Sequence, residues 1–436
     1  MSKINKKDFK TLALSSLGGT LEFYDFIIFV FFASIISKHF FPDTLSDTWK
    51  SVNTYGIFAA GYLARPLGGI VMAHFGDKFG RKNMFMLSIL LMVIPTFLLA
   101  IVPTFESIGY AAPIFLILVR ISQGIAVGGE LPGAWVFISE HAPKERRNLY
   151  LSFLTASVTA GILLGALVYL GIYAFFTASE VQEWAWRIGF GLGGVFGLIS
   201  VYLRKFLQET PIFKKMKEDK ALAKFPLKEV LKSSKLGVII SMLMTLVLTA
   251  CILIFILIMP NLLIKPNTLG VVKLDFSVFE KTYLQICGLF FLVSSIVFCG
   301  YLADKFKVYK LCILYTLGFL LCSICFFSEI YSLEKSQNLI ILFYLSTCFF
   351  AGIMGFCPIF MCDVFQSNVK FSGISFAYNI AYALAGGFTP QLVSFLDQRA
   401  SEGFYTYALS FYMLLVCLAS FLACYLFSSI QRTKTQ

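Results

Sequence analysis

Hydrophobic residues run along this chain in long unbroken blocks, each ended by a short polar or basic connection. Blocks near 14–36, 52–73, 84–103, 111–138, 150–172 and 186–204 precede a basic break. Further blocks follow near 236–260, 279–302, 311–328, 338–361, 371–395 and 403–427. About 20 apolar residues cross the hydrocarbon layer as a helix, so the pattern predicts twelve membrane-spanning helices. The blocks lack the one-in-two alternation of an outer-membrane strand, and the fold class read from them is an all-α integral membrane protein. The one long polar interruption, FLQETPIFKKMKEDKALAKFPLKEVLKSSK at 206–235, divides the spans six and six. The expected organisation is a first six-helix bundle over 1–205, a cytoplasmic basic linker over 206–235 and a second bundle over 236–436. The partly amphipathic linker reads as a surface helix against the lipid.

Composition agrees with this pattern. Of 436 residues, 58% are hydrophobic and only 14% charged, against roughly 25% charged in soluble domains. Too little polar surface remains to coat a water-soluble globule. Lys3, Lys6, Lys7 and Lys10 precede the first block, but that block is long, carries two carboxylates and shows no small-residue cleavage site. It reads as a retained first helix rather than a secretion signal. Lys and Arg concentrate in alternate connections, which predicts that both termini are cytoplasmic. The same bias accounts for the net charge of +12 and suits an anionic inner leaflet. A nucleic-acid role would need a basic soluble domain, and no segment supplies one. The eleven cysteines, Cys322 and Cys325 among them, sit in the second half, mostly within apolar runs, and read as small hydrophobes. His39, His74 and His141 form no metal-ligand spacing. GLGGVFG at 191–197 lies in a span and lacks the strand–turn–helix setting of a dinucleotide site. No enzyme, metal or cofactor is expected.

Candidate chemistry comes from charges at membrane depth. Glu22 and Asp25 lie three residues apart in LEFYDF, on one helix face. Arg65 falls in the second block, and Arg120 and Glu130 in the fourth. Five unpaired charges would cost on the order of 12–17 kcal/mol on insertion scales, so pairing or a hydrated cavity is required. A helix-locking ion pair with no transport role is the alternative; Gly124/Gly128, Gly161/Gly165 and Gly193/Gly197 already supply small-residue spacing for locking helices, which favours a functional role for these charges. In the second half Tyr378, Asn379 and Tyr382 share a face of the eleventh helix, and Gln285 lies in the eighth. Such groups suit substrate hydrogen bonds and equally suit interhelical ones.

The halves share a loop signature. AHFGDKFGRKN at 73–83 and GYLADKFKVYK at 300–310 put Asp77–Lys78–Phe79 and Asp304–Lys305–Phe306 at equivalent turns. A parallel repeat of six-helix units is a known transporter architecture. Here the chain resembles the major facilitator superfamily, whose loop between helices 2 and 3 reads G-x-x-x-D-R/K-x-G-R-K/R. Asp77, Lys78, Gly80, Arg81 and Lys82 match it, with Ala73 in place of the first glycine. In the second copy Lys307 and Val308 replace Gly-Arg. Within the superfamily the chain is similar to the metabolite:proton symporter family of proline/betaine, shikimate, citrate and α-ketoglutarate carriers. That resemblance rests on LEFYDF, LARPLGGIVMAHFGDKFGRK, VRISQGIAVGGELPGA, SEHAPKERRNLYLSF, WRIGF, QETPIF and KFSGISFAYNIAYALAGGFTP. Two positions depart from it: Gln366 replaces a usual proline, and Thr155 falls where a glutamine is common.

The resemblance implies two six-helix bundles working by alternating access. An acid on helix 1 then titrates against an arginine on helix 4, places held here by Asp25 and Arg120, with Glu22 a second proton candidate. Substrate contacts are expected from Arg120, Tyr24, Gln123, Glu130, Arg65, Gln285, Tyr378, Asn379 and Tyr382. A cytoplasmic gate is expected from Asp77, Lys78, Arg81, Asp304, Lys305 and Asp363, the aspartates facing the positive ends of helices. The expected function is proton-coupled import of a small organic anion or zwitterion. A non-transporting ligand sensor and an exchanger of the same fold are the alternatives; helix 5 lacks the G-x-x-x-G-P-x-x-G-G pattern of superfamily antiporters. The short end after the last block carries no long coiled-coil tail, which argues against osmotic sensing. Expected partners are a small-molecule substrate, protons and membrane lipids, with no nucleic acid. The chain is expected to be a monomer in a bacterial inner membrane.

Overall fold

The computed structural model describes residues 6–206, 209–219, 225–264, 277–332, 336–401 and 407–435. Among these residues the long elements are helices and no strand occurs. They are α1 (Lys6–Phe31), α2 (Asp47–Phe79), α3 (Arg81–Ile101), α4 (Ala111–His141), α5 (Arg147–Phe175) and α6 (Trp186–Arg204). Then come α7 (Lys235–Ala250), α8 (Val278–Ala303), α9 (Val308–Ile330), α10 (Gln337–Phe350), α11 (Lys370–Ser401) and α12 (Ala408–Thr435). α7 continues through a wide π-type stretch, Cys251–Ile258, into Met259–Ile264. α10 continues through a tight 3-10 turn, Ala351–Gly355, into Cys357–Val364. Within the 206–235 stretch, Pro211–Glu218 and Pro226–Ser233 form two short amphipathic helices.

Eleven helices among the described residues are long and apolar enough to cross a membrane. α11 is the long helix outside that set. It is long enough to span, but it carries Lys370, Ser372, Ser375, Asn379, Gln391 and Asp397. Its polarity marks it as a helix with interior duties.

The chain divides into two compact units. One takes Met1–Ala142, Ser157–Val230 and Ser367–Ala383; the other takes Pro143–Ala156, Leu231–Gln366 and Leu384–Gln436. A cut at 206–235 would assign the start of α5 and the start of α11 the other way.

In the first unit, α2 and α4 approach until backbone meets backbone. A Cβ at Gly124 would meet the Gly61 carbonyl, and one at Gly128 the Arg65 carbonyl. In lipid this close approach supplies the packing that hydrophobicity cannot, and it fixes the heights of Arg65 and Arg120. Gly161 of α5 lies against the Thr20 carbonyl of α1, and Gly197 of α6 against Val93 of α3. The three glycine pairs thus serve as helix contacts, as the spacing suggested. Toward the C-terminal end of α1, Phe32, Ile36, Phe40, Trp186 and Phe190 fill an apolar core. The α2–α3 turn needs Gly80, whose φ of 112° suits a residue without a Cβ. Glu209 closes that turn by accepting the Lys82 amide at 3.1 Å.

In the second unit, Gly352 of the α10 turn sits against Ser295 of α8, and Thr316 and Ser420 join α9 to α12 at 2.8 Å. The π-type stretch of α7 frees backbone carbonyls that must find donors. Tyr344 donates to Phe255 O at 2.9 Å and Gln285 to Ile256 O at 2.7 Å. Cys251, Cys299, Cys312, Cys348, Cys357, Cys362, Cys417 and Cys424 are buried free thiols; Cys287, Cys322 and Cys325 are not buried.

Candidate functional site

α2 and α4 carry the two charges that matter most. Arg65 is fully buried. Its guanidinium carbon lies 4.0 Å from the Tyr382 ring centre, 5.2 Å from Tyr378 and 5.9 Å from Tyr62. Tyr62 and Tyr382 stack at 5.5 Å. Arg65 Nε donates to Asn379 Oδ1 at 3.4 Å, while Nη2 has no hydrogen-bond partner. Asn379 is itself held: its amide nitrogen donates to Gly128 O at 2.7 Å and to Ser375 O at 2.8 Å. Tyr378 packs edge-on against Trp135 of α4 at 5.1 Å. Three residues on one face of α11 therefore converge on one arginine.

Arg120 is equally buried. Its guanidinium lies 4.4, 4.5 and 4.9 Å from the rings of Phe26, Phe29 and Phe58. Desolvated cation–π contacts are worth about 2 kcal/mol or more, enough together to offset the roughly 2.5–3.5 kcal/mol of placing an arginine at membrane depth. Nη1 donates to Gln123 Oε1 at 2.7 Å and to Phe26 O at 3.3 Å. Nε and Nη2 have no partner.

The expected ion pair between Asp25 and Arg120 is absent. Asp25 is fully buried and neither carboxyl oxygen has a hydrogen-bond partner. Its Oδ1 lies against Gly193 of α6, as does the Thr96 methyl of α3, which would be 2.9 Å from a Cβ there. The phenyl cage draws Arg120 to the Phe26 side of α1. Asp25, about 100° away round the helix, turns into the space that glycine leaves on α6. A polar chain nevertheless joins the two places. Gln123 Nε2 donates to Thr96 Oγ1 at 2.8 Å, and Thr96 Oγ1 donates to Met92 O at 2.9 Å.

The other candidates are dispersed. Tyr24 donates its hydroxyl to Gly189 O at 2.7 Å and stacks edge-on with Phe196, so it locks α1 to α6. Glu130 does not join Arg120: it pairs with Arg204 of α6 and accepts from Ser88 of α3 at 2.8 Å. Gln285 is committed through its amide nitrogen to the α7 backbone. The side chains of Glu22 and Arg81 lie outside the described residues. Arg204, at the end of the sixth block, and Thr96, a lone hydroxyl in the third, carry no local signal and are not among the expected site residues.

The loop aspartates meet helix starts. Asp77 Oδ2 accepts from the backbone N of Ser372 at 3.0 Å and from its hydroxyl at 2.8 Å, at the first turn of α11. Asp304 accepts from the amides of Asn148 at 2.9 Å and Leu149 at 3.1 Å, at the first turn of α5. Both satisfy amides that a helix leaves open. The second contact forms despite the missing Gly-Arg, because it needs only the aspartate. Burial holds the Asp304 carboxyl above its ordinary range, opposed by those two amides and by Arg146 and Arg147. Asp363 pairs with Arg147, Lys305 bonds its own-turn neighbour Tyr301, and Lys78 lies 5.6 Å from the Phe225 ring centre.

Helices long enough to span a bilayer thus enclose buried arginines and tyrosines, as a multi-pass membrane protein does when its interior is put to use. The Major Facilitator Superfamily model matches residues 16–390, and the chain belongs to that superfamily. It is 29% identical to a putative proline/betaine transporter of Staphylococcus haemolyticus, over 95% of this chain and 86% of the relative. It is 31% identical to the shikimate transporter of Escherichia coli, over 96% and 94%. Among solved structures it resembles the proton:xylose symporter XylE bound to 6-bromo-6-deoxy-D-glucose, with TM-score 0.78 and 17% identity, over 96% and 94%. That last likeness speaks for the fold.

Proposed function

We propose that this protein is a proton-coupled secondary active transporter that imports a small organic anion or zwitterion, by alternating access, across a bacterial inner membrane. The observation that carries the proposal is the pair of buried arginines with N–H groups left unfilled. A buried donor without an acceptor costs about 1–3 kcal/mol, and more when charged. A carboxylate removes that cost, and arginine takes one through two parallel bonds. Tyr62, Tyr378, Tyr382 and Asn379 add neutral hydrogen-bonding groups around Arg65. The relatives' named substrates, proline, betaine and shikimate, all carry a carboxylate and fit this reading.

Coupling follows from the polar chain. A substrate carboxylate on Arg120 competes with Gln123 for the guanidinium. Gln123 is then free to turn, and its bond to Thr96 changes with it. Thr96 shares the space at Gly193 with Asp25, the carboxyl placed to carry the proton. Proton and substrate sites thus communicate through Gln123 and Thr96 rather than by direct contact. Asp77 and Asp304 act as cytoplasmic clasps on the starts of α11 and α5, to be released when the carrier opens inward.

The test is uptake into proteoliposomes of radiolabelled proline, glycine betaine, shikimate and a series of carboxylates, with and without an inward proton gradient. Accumulation of at least one compound, abolished by a protonophore, is expected. Binding without gradient-driven accumulation would make the protein a sensor.

A further inference from the structure

Resting on that transport reading, we infer that Arg65 is a clasp on α11, and that a substrate carboxylate taking its guanidinium releases the cytoplasmic half of that helix. Arg65 is then a positioning residue for the opening step as well as a substrate contact.

The first unit includes α11 only through Ala383, and up to that point the contacts of α11 with α2 keep one antiparallel register. Tyr62 stacks on Tyr382 at 5.5 Å, Arg65 Nε donates to Asn379 Oδ1 at 3.4 Å, and Ser375 Oγ donates to Gly69 O at 3.0 Å. The groove that receives this half of α11 is lined with glycine. Gly69 of α2 lies against Asn379 and Ser375, and Gly128 O of α4 accepts from both. Nearer the cytoplasm, a Cβ at Gly76 or Gly133 would meet the Phe371 ring.

Two charged side chains of α2 grip this half of α11. Asp77 holds the first turn through Ser372, and Arg65 holds the inner end, about 18 Å away along α2. Of the two, Arg65 is the cation, the group a substrate carboxylate seeks. Its hold on α11 is made of neutral partners: the rings of Tyr378 and Tyr382 and one long bond to Asn379. A carboxylate offers two parallel charge-assisted bonds, each roughly twice as strong as a neutral one. A ligand moves an equilibrium only by its differential affinity for the two states. With α11 seated, Nε of Arg65 is taken; with α11 released, it is open to the ligand. Substrate therefore favours release, and by reciprocity whatever loosens the seat raises substrate affinity. If the polar face of α11 served only to contact substrate, loosening it would weaken binding.

The test is hydrogen exchange of the full chain in nanodiscs, read at residues 370–383 and at α3 and α6 for comparison, with proline, glycine betaine and shikimate as probes. Without ligand, Arg65→Gln should quicken exchange at 370–383 by about fivefold or more and leave α3 and α6 within about twofold. Arg65→Lys, which keeps a cation for Tyr382, should recover part of that difference. In wild type at least one probe should bind and quicken the same segment, an effect lost in Arg65→Gln. Ser375→Ala should bind that probe about threefold tighter, a gain that a merely structural role does not produce. The wild-type arm and Ser375→Ala decide the matter should Arg65→Gln fail to fold. Unchanged exchange at 370–383 in Arg65→Gln, no probe that binds and quickens it in wild type, or weaker binding by Ser375→Ala each overturns the inference. Gradient-driven uptake beside any of these results leaves the transport reading standing. The expected exchange pattern without accumulation removes the transport reading and keeps the clasp.

Discussion

Among the described residues, the side-chain hydrogen bond of Arg120 runs to Gln123, and its Nε and Nη2 have no partner. In the proposed coupling, the signal to Asp25 passes through Gln123 and Thr96, and Thr96→Val tests the last step while preserving shape. The variant should bind substrate within about threefold of wild type, while its gradient-driven uptake falls by about tenfold or more. Uptake at several external pH values, beside equilibrium binding, separates the two effects. Gly193→Ala makes a sharper case, because its new methyl would meet Oδ1 of Asp25. Uptake should be lost with substrate binding retained, as titration calorimetry would read. The positions of Asp25, Arg65 and Arg120 at membrane depth were legible in the chain, since a charge in an apolar block stands out. Their partners were not. Which way Asp25 turns depends on a missing Cβ on α6 and a phenyl cage on α1 and α2, and both arise only when helices distant in sequence pack together.

The helices owe their positions to contacts of two kinds. Gly124 and Gly128 let α4 lie on the α2 backbone, and the sequence showed this because small residues four apart are a local pattern. Gly124→Leu drives a side chain into the Gly61 carbonyl and should cost about 1–3 kcal/mol or more, read as a fall in detergent melting temperature. The Glu130–Arg204 pair is the other kind. It ties α4 to α6 over 74 positions, a separation that no local pattern reports. Glu130→Ala leaves Arg204 buried without its carboxylate and should destabilise by about 3–5 kcal/mol. Glu130→Gln combined with Arg204→Met should recover much of that loss, in the same melting assay. α11 differs again: as an apolar block it reads as one more span, while its residues Ser375, Tyr378, Asn379 and Tyr382 form the polar lining around Arg65.

At the scale of the molecule, substrate, proton and clasp act together in the proposed cycle. The repeat of Asp77 and Asp304 foretold two helix-start contacts, because a carboxylate in a tight turn seeks open amides. Asp77→Asn keeps the shape and removes the charge. A loss of about 1 kcal/mol at the α11 start shifts a two-state equilibrium about fivefold, and hydrogen exchange at the first turn of α11 should quicken accordingly. The coupling itself is tested most directly by proton flux: wild type and Asp25→Asn in proteoliposomes, with external pH recorded as the best-binding substrate is added. Wild type should alkalinise the medium as substrate enters, whereas Asp25→Asn should exchange preloaded substrate and move no protons. Undiminished proton uptake by Asp25→Asn would contradict the account.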